Sequence, residues 1–224
     1  MLRNWTASFG RKPIPTDNLA AHYDASVASS ITEVTGVSNW ADLSGNGRDL
    51  VQLTGADQPV YSAANNSITF DGVSDFLKTA AFTLNQPETV YMACQQVSYT
   101  SGDYLMDGDI NTGLIYQGTS SPNIQAYAGS FSSDNGDLAV GSDGVVAVVF
   151  NGASSSIRVD NNAPVTGNFG AANMGSFTLG TKGNSAAAQA SNIIVYEVAI
   201  YSVAHTASQQ NNIIHDLQQK WGIS

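Results

Sequence analysis

Charge is scarce in this 224-residue chain: Asp, Glu, Lys and Arg make up 12 % of it, about half of the roughly 25 % usual in a soluble domain. Cations are scarcer still, eight against eighteen acids, for a net charge of −10. Such a surface repels phosphate backbones and anionic lipid, so nucleic acid is not expected as a partner. Cysteine occurs once, at Cys94, which excludes a disulfide within the chain; its setting in the segment 89–97 is that of a small buried strand residue rather than of an activated thiol. No apolar run approaches the roughly 18 residues of a membrane span, so no membrane insertion is expected. The first dozen residues also lack the apolar stretch of a secretory signal.

Catalytic patterns are equally thin. Glutamate occurs three times, at Glu33, Glu88 and Glu197, and none has an acidic residue two or four positions away. A retaining glycosidase of the strand-borne type needs two carboxylates a few ångströms apart on one strand face, and these three cannot build that pair. His22, His205 and His215 show no metal-ligand spacing. The glycines of Ser44-Gly-Asn-Gly47 are not followed by the Lys-Ser/Thr and helix that a phosphate loop requires, and no Ser/His/Asp arrangement stands out. The expectation is therefore a protein that is not an enzyme.

Uncharged polar residues and 21 glycines supply what charge does not, and this is the composition of turns and sheets. From residue 60 to 200 short apolar or alternating segments follow one another: 67–70, 76–79, 89–97, 104–106, 113–116, 124–127, 145–150, 155–159, 176–179 and 192–201. Asp71-Gly72, Asp107-Gly108, Asn135-Gly136, Asn151-Gly152 and Asn161-Asn162 punctuate them as turns. Ten strands at this spacing predict an all-β chain of two sheets. Val145–Phe150 and Ile193–Val195 are continuously apolar, which suits central strands buried on both faces. At the C-terminus the period changes: Ile213, Ile214, Leu217 and Trp221 recur at helical spacing, Thr206 and Gln209 fit a capping box, and Gly222 is a stop. That pattern predicts one amphipathic helix of about four turns.

The first residues differ in kind from the rest. Arg3, Arg11 and Lys12 stand there without an acid, whereas residues 13–224 carry five cations and all eighteen acids. Trp5 and Phe9 interleave with these charges, and Pro13-Ile14-Pro15 stiffens the exit. Residues 1–18 are read as an N-terminal arm and 19–224 as one domain. The arm is either a terminal strand that zips onto the sheet or an anchor whose Arg3, Trp5, Phe9, Arg11 and Lys12 dock on a partner.

Four motifs carry a resemblance. Ala20–Ser26 followed by Val37–Leu50, with Trp40-Ala-Asp-Leu-Ser-Gly-Asn-Gly47, resembles the W-x-D-x-S-G-N-G opening of laminin-G-like, concanavalin A-like domains. Ser67–Leu77 looks like the family's F-D-G-x-x-D-y-L strand pair, Val145–Val159 like its central hairpin, and Asn192–Tyr201 with Lys220-Trp-Gly222 like its closing signature. The resemblance runs over about residues 19–222 and implies a two-sheet concanavalin A-like jelly-roll sandwich with one C-terminal helix; it speaks to fold much more than to function.

Glycans bind such folds through aromatic stacking and through amide and hydroxyl hydrogen bonds. Tyr99, Tyr104, Tyr116 and Tyr127, interleaved with Asn111 and Gln125, are the candidate carbohydrate-binding residues; the alternative is that these tyrosines alternate into the core. Asp107 and Asp109 lie in the densest acidic run and are read either as Ca2+ ligands or as plain surface carboxylates. Family habit and the missing export signal lead to the expectation of a non-catalytic bacteriophage virion structural protein (tail, receptor-binding or capsid-decoration). It would contact other virion proteins through its arm, form a homo-oligomer, and display a lectin-like face to cell-surface glycans at the virion surface. The alternatives are a secreted or cell-surface carbohydrate-binding module and, behind it, a glycan hydrolase.

Overall fold

The structure, a computed structural model, describes residues 13–132, 137–184 and 189–224. The anchoring residues proposed in the arm, Arg3 to Lys12, and the Asn135-Gly136 turn lie outside the described residues. In chain order the strands are β1 (Leu19–Asp24), β2 (Ile31–Glu33), β3 (Val37–Trp40), β4 (Leu50–Val51), β5 (Val60–Ser62), β6 (Ser67–Asp71), β7 (Leu77–Lys78), β8 (Glu88–Gln96), β9 (Tyr104–Asp107), β10 (Leu114–Gln117), β11 (Ile124–Tyr127), β12 (Asp143–Phe150), β13 (Ser155–Val159), β14 (Val165–Gly167), β15 (Thr178–Leu179) and β16 (Asn192–Tyr201). One helix, α1 (Ala207–Trp221), follows them. It is too short to cross a membrane, and no helix among the described residues is long and apolar enough to do so.

The strands form two antiparallel sheets packed as a β-sandwich. Sheet one runs β14-β13-β12-β8-β16-β6-β5, with β1 pairing the second half of β16 beyond the end of β6; sheet two runs β11-β10-β9-β15-β7-β4-β3-β2. All ten expected strands are present. The six additional ones were hidden by length and composition: β2 to β5 and β14 are two to four residues long, and β1 is an alanine-containing segment without clear alternation.

Side-chain alternation sorts sheet one cleanly. Val146, Val148 and Phe150 of β12 enter the core between the sheets with Val90, Met92 and Cys94 of β8. Val145, Ala147, Tyr91 and Ala93 point the other way and meet Ile213, Ile214, Leu217 and Trp221 of α1. The continuous apolar run of β12 is thus explained by the helix, which covers the outer face of this sheet. Burying each of those helix side chains contributes about 2 kcal/mol. The helix ends hold as expected: Thr206 and Gln209 form a reciprocal capping box, and Gly222 closes the C-terminus at φ 64° with its amide on Gln218 O.

Two local features of the turns and the core stand out. The Asp71 carboxylate accepts the amides of Val73, Ser74 and Asp75, and Asp75 accepts that of Asp71, so both acids organise their turn. Trp40 is fully buried, but its indole N–H has no partner among the described residues. The neighbouring carboxylate that could have served it, Asp42, is occupied by His22 N, Ser44 N, the Ser44 hydroxyl and Arg48 N.

Candidate functional site

Three of the four tyrosines read from the sequence converge on the outer face of sheet two. On β10 and β11 the alternation is strict: Ile115, Ile124 and Ala126 enter the inter-sheet core, while Leu114, Tyr116 and Tyr127 face outward with Tyr104 of β9 in a separate cluster. These rings therefore do not alternate into the core. Tyr104 and Tyr116 stand 6.2 Å apart between centroids. Phe131, from the loop after β11, lies 5.8 Å from Tyr116 and 4.6 Å from Tyr127. Tyr104 and Tyr116 are only 8 % and 9 % exposed, whereas Phe131 is 62 % exposed. The accessible rings are thus Phe131 and the half-buried Tyr127, supported by the other two. Lys182 Nζ sits 5.8 Å from the Tyr104 ring centroid, within cation–π range.

Amides lock the tyrosines. Tyr104 OH donates to Asn111 Oδ1 at 3.1 Å and Tyr116 OH to Gln125 Oε1 at 2.5 Å. Burial, then the nearby Asp107 charge, pushes the Tyr104 hydroxyl above its ordinary value, so it stays a protonated donor at neutral pH. Tyr99 is placed elsewhere: its hydroxyl donates to Gly118 O and Asn123 O, bracing the β10–β11 turn. Phe131 escaped the sequence reading because it sits in a polar loop without periodicity; a large exposed apolar ring among small polar residues was the available signal.

Asp107 and Asp109 do different work. Asp107 is fully buried and takes the amides of Gly108, Asn111, Thr112 and Gly183 at 2.8–3.1 Å. Asp109 is exposed, 3.6 Å from Lys78 Nζ. Among the described residues, the group of three His, Asp or Glu side chains whose ligand atoms converge, within 4.8 Å of one another, is instead His22, Asp24 and Glu197. Asp24 and Glu197 face each other across the β1–β16 pair. A bulge after Val195 turns Glu197 to the helix side together with Tyr196. There Glu197 accepts from His22 Nε2 at 2.8 Å, Lys220 Nζ at 2.6 Å and Trp221 Nε1 at 2.8 Å. Lys220 also reaches Asp24 at 2.5 Å, and Asp24 takes the Ser26 hydroxyl and amide. Burial pushes the Asp24 carboxyl up, but the Lys220 charge and these hydrogen bonds outweigh it and leave it below the usual carboxylate range. The group lines a cavity of about 310 Å³ with Ile14, Thr16 and Leu43. His22, Asp24 and Glu197 are the residues that could hold a cation; the ammonium of Lys220 already stands between the two carboxylates.

No protein-family model and no curated protein matches the sequence. Solved structures do match the fold. A Trypanosoma rangeli sialidase in complex with sialic acid aligns over 95 % of this chain with a TM-score of 0.66 and 14 % identity; another structure of Trypanosoma rangeli sialidase aligns over 94 % with 0.66 and 15 %. A GH54 α-L-arabinofuranosidase aligns over 81 % with 0.61 and 16 %. The chain spans about a third of the sialidase and half of the arabinofuranosidase. At these identities the likeness establishes the fold, a β-sandwich that occurs in carbohydrate-processing proteins. It overturns two expectations. These neighbours are glycosidases, not virion components, so the non-catalytic bacteriophage structural protein is withdrawn. The exclusion of enzymes falls with it, for a physical reason seen in the sheet: it considered only acidic spacing along one strand, whereas antiparallel pairing brings Asp24 and Glu197 together across 173 positions of sequence. What the chain is similar to is therefore the β-sandwich architecture of glycan-cleaving enzymes.

Proposed function

We propose that this chain is a carbohydrate-recognising domain of the concanavalin A-like, laminin-G-like kind, working as a carbohydrate-binding module in glycan processing. The observation that carries the proposal is the outward aromatic face of sheet two, with Phe131 and Tyr127 accessible and Tyr104 and Tyr116 held by Asn111 and Gln125. Sugar rings present C–H faces that stack on such rings and hydroxyls that match amide side chains. The fold shared with a sialidase and an arabinofuranosidase supports glycans as the ligand class. Retention on an array of neutral glycans, measured with and without calcium, tests it. Phe131→Ala is expected to weaken retention about five- to tenfold, since a ring contact is worth about 1 kcal/mol, with unchanged thermal stability because the ring is exposed. A folded wild-type protein that binds nothing on the array sinks the proposal.

A second reading, glycan hydrolysis, is favoured by the cross-strand Asp24–Glu197 pair at its cavity, because two closely spaced carboxylates are what glycoside cleavage uses. Release of reducing ends from oligosaccharides by the wild type, lost in Glu197→Gln, would support it.

A further inference from the structure

A second polar cleft opens at the end of the sandwich where β1 begins, β16 ends and the loop before β8 returns. It measures about 380 Å³, and Arg48 lies in its wall with Asn18, Asn46, Asn85, Thr16, Thr83 and Ser202. The loop Ser44–Gly47, noted in the sequence as part of a motif and without a function so far, builds it. Asp42 caps that loop from below, Asn46 Nδ2 ties it to Leu19 O and Ala20 O, and Gly45 and Gly47 take positive φ of 86° and 68°, which side chains resist. The opposite wall is fixed by Ser202, whose amide and hydroxyl both donate to Asn18 O.

Arg48 is the unusual element. Its amide donates to Asp42, its carbonyl accepts from Tyr23 OH, one guanidinium nitrogen donates to Ala20 O, and the guanidinium lies 4.3 Å from the Phe82 ring centroid. In a chain with eighteen acids it nevertheless has no carboxylate partner among the described residues. The acids of the same segment are engaged within it, Asp42 by the amides and the Ser44 hydroxyl named above and Asp49 by Asp42 N. The guanidinium is thus pinned at one nitrogen and stacked on a ring, and its remaining N–H donors have no partner among the described residues.

We infer that this cleft binds a carboxylated sugar residue, with Arg48 gripping the carboxylate and the surrounding amides and hydroxyls taking ring hydroxyls. A planar guanidinium fork matches a carboxylate bidentately, a stacked guanidinium has already lost its rotational freedom, and three amides with three hydroxyls are donors and acceptors for a polyol but offer no second cation for a multiply charged anion. The choice of a sugar as the carrier of the carboxylate rests on the carbohydrate reading above; the site itself is distinct from the aromatic face.

The test is an NMR titration of the full chain with glucuronate, glucose and acetate as separate probes, following the arginine Nε–Hε signals. Glucuronate is expected to shift the Arg48 signal and the amides of 46–48 and 83–85 with a millimolar Kd. Glucose and acetate are each expected to bind about tenfold more weakly, the worth of one charged hydrogen bond or of several neutral ones. Arg48→Gln and Arg48→Lys should both lower glucuronate affinity at least tenfold, because Lys keeps the charge but not the fork; the wild-type titration decides even if the Gln variant does not fold. Acetate binding as tightly as glucuronate, glucose binding as tightly as glucuronate, or shifts confined to the surroundings of Phe131 overturn the inference. Failure of the neutral-glycan array with glucuronate still shifting Arg48 removes the aromatic-face proposal alone.

Discussion

Glu88 shows what one residue costs the fold. It opens β8 and points between the sheets toward Gly113 and Met174, fully buried, and neither carboxyl oxygen has a hydrogen-bond partner among the described residues. No charged group contributes to its titration; burial alone pushes it from 4.5 up to about 8. The native state therefore holds a neutral acid. Below pH about 4.5 both folded and unfolded chains are protonated there and the group costs nothing through ionisation. Between about 4.5 and 8 the unfolded chain releases a proton the native state keeps, so stability falls as pH rises, and above about 8 the penalty is constant. Glu88→Met, similar in size and beside Met174, should raise stability at pH 8 by roughly 2–4 kcal/mol and flatten this slope. Urea unfolding from pH 4 to 9 checks it, and a variant with the wild-type slope would rule the account out.

At the scale of elements, α1 is held at three points. Thr206 caps its start, its apolar stripe covers sheet one, and Lys220 in its last turn ties it to β1 and β16 through Asp24 and Glu197. A cation near a helix C-terminus also complements the helix dipole. Thr206→Ala should cost about 1 kcal/mol, the worth of an N-cap. Lys220→Met should cost more, about 3 kcal/mol, because it leaves two buried carboxylates uncompensated. The pH responses should then oppose each other. In the wild type Asp24 has a lowered value, so its contribution is present above the ordinary carboxylate range and is lost as pH falls through the folded value. In Lys220→Met the Asp24 carboxylate stays desolvated but loses the ammonium that lowers it, so the deficit shrinks as pH falls. Denaturant midpoints at pH 4 and 7 for both proteins measure this.

For the whole molecule, the decisive fact is how far apart in sequence its central partners lie. β16 is paired on one side with β8 and on the other with β6 and β1, so the middle of sheet one is completed by a strand that begins at Asn192. Removing 192–224 leaves β8, β6 and β1 without that neighbour and strips the helix from the outer face. Such a truncation should lack a cooperative thermal transition and native near-ultraviolet circular dichroism. A truncated chain that still melted cooperatively would show that sheet one does not depend on β16. Pairings this distant also predict folding on the millisecond-to-second scale.

Much of this was legible residue by residue. The ten expected strands, the helix with its Thr206–Gln209 box and Gly222 stop, the burial of Cys94 and the turn at Asp71-Gly72 follow from periodicity, propensity and local hydrogen bonding, which are properties of neighbours in sequence. Of the candidate glycan site, Tyr104, Tyr116, Tyr127, Asn111 and Gln125 were legible as an interleaved set, but their outward orientation and the addition of Phe131 were not. The sequence by itself determined an acidic, all-β chain with one capped helix, because those features are set by composition and by spacings of two to four residues. Only the tertiary structure decided that Asp24 meets Glu197 and that, among the described residues, Glu88 is sealed without a hydrogen-bond partner and Arg48 lines a polar cleft without a carboxylate partner. Strand pairing and burial join residues with no fixed separation along the chain, and charge, hydrogen-bond satisfaction and pKa are properties of that joined environment rather than of the residue.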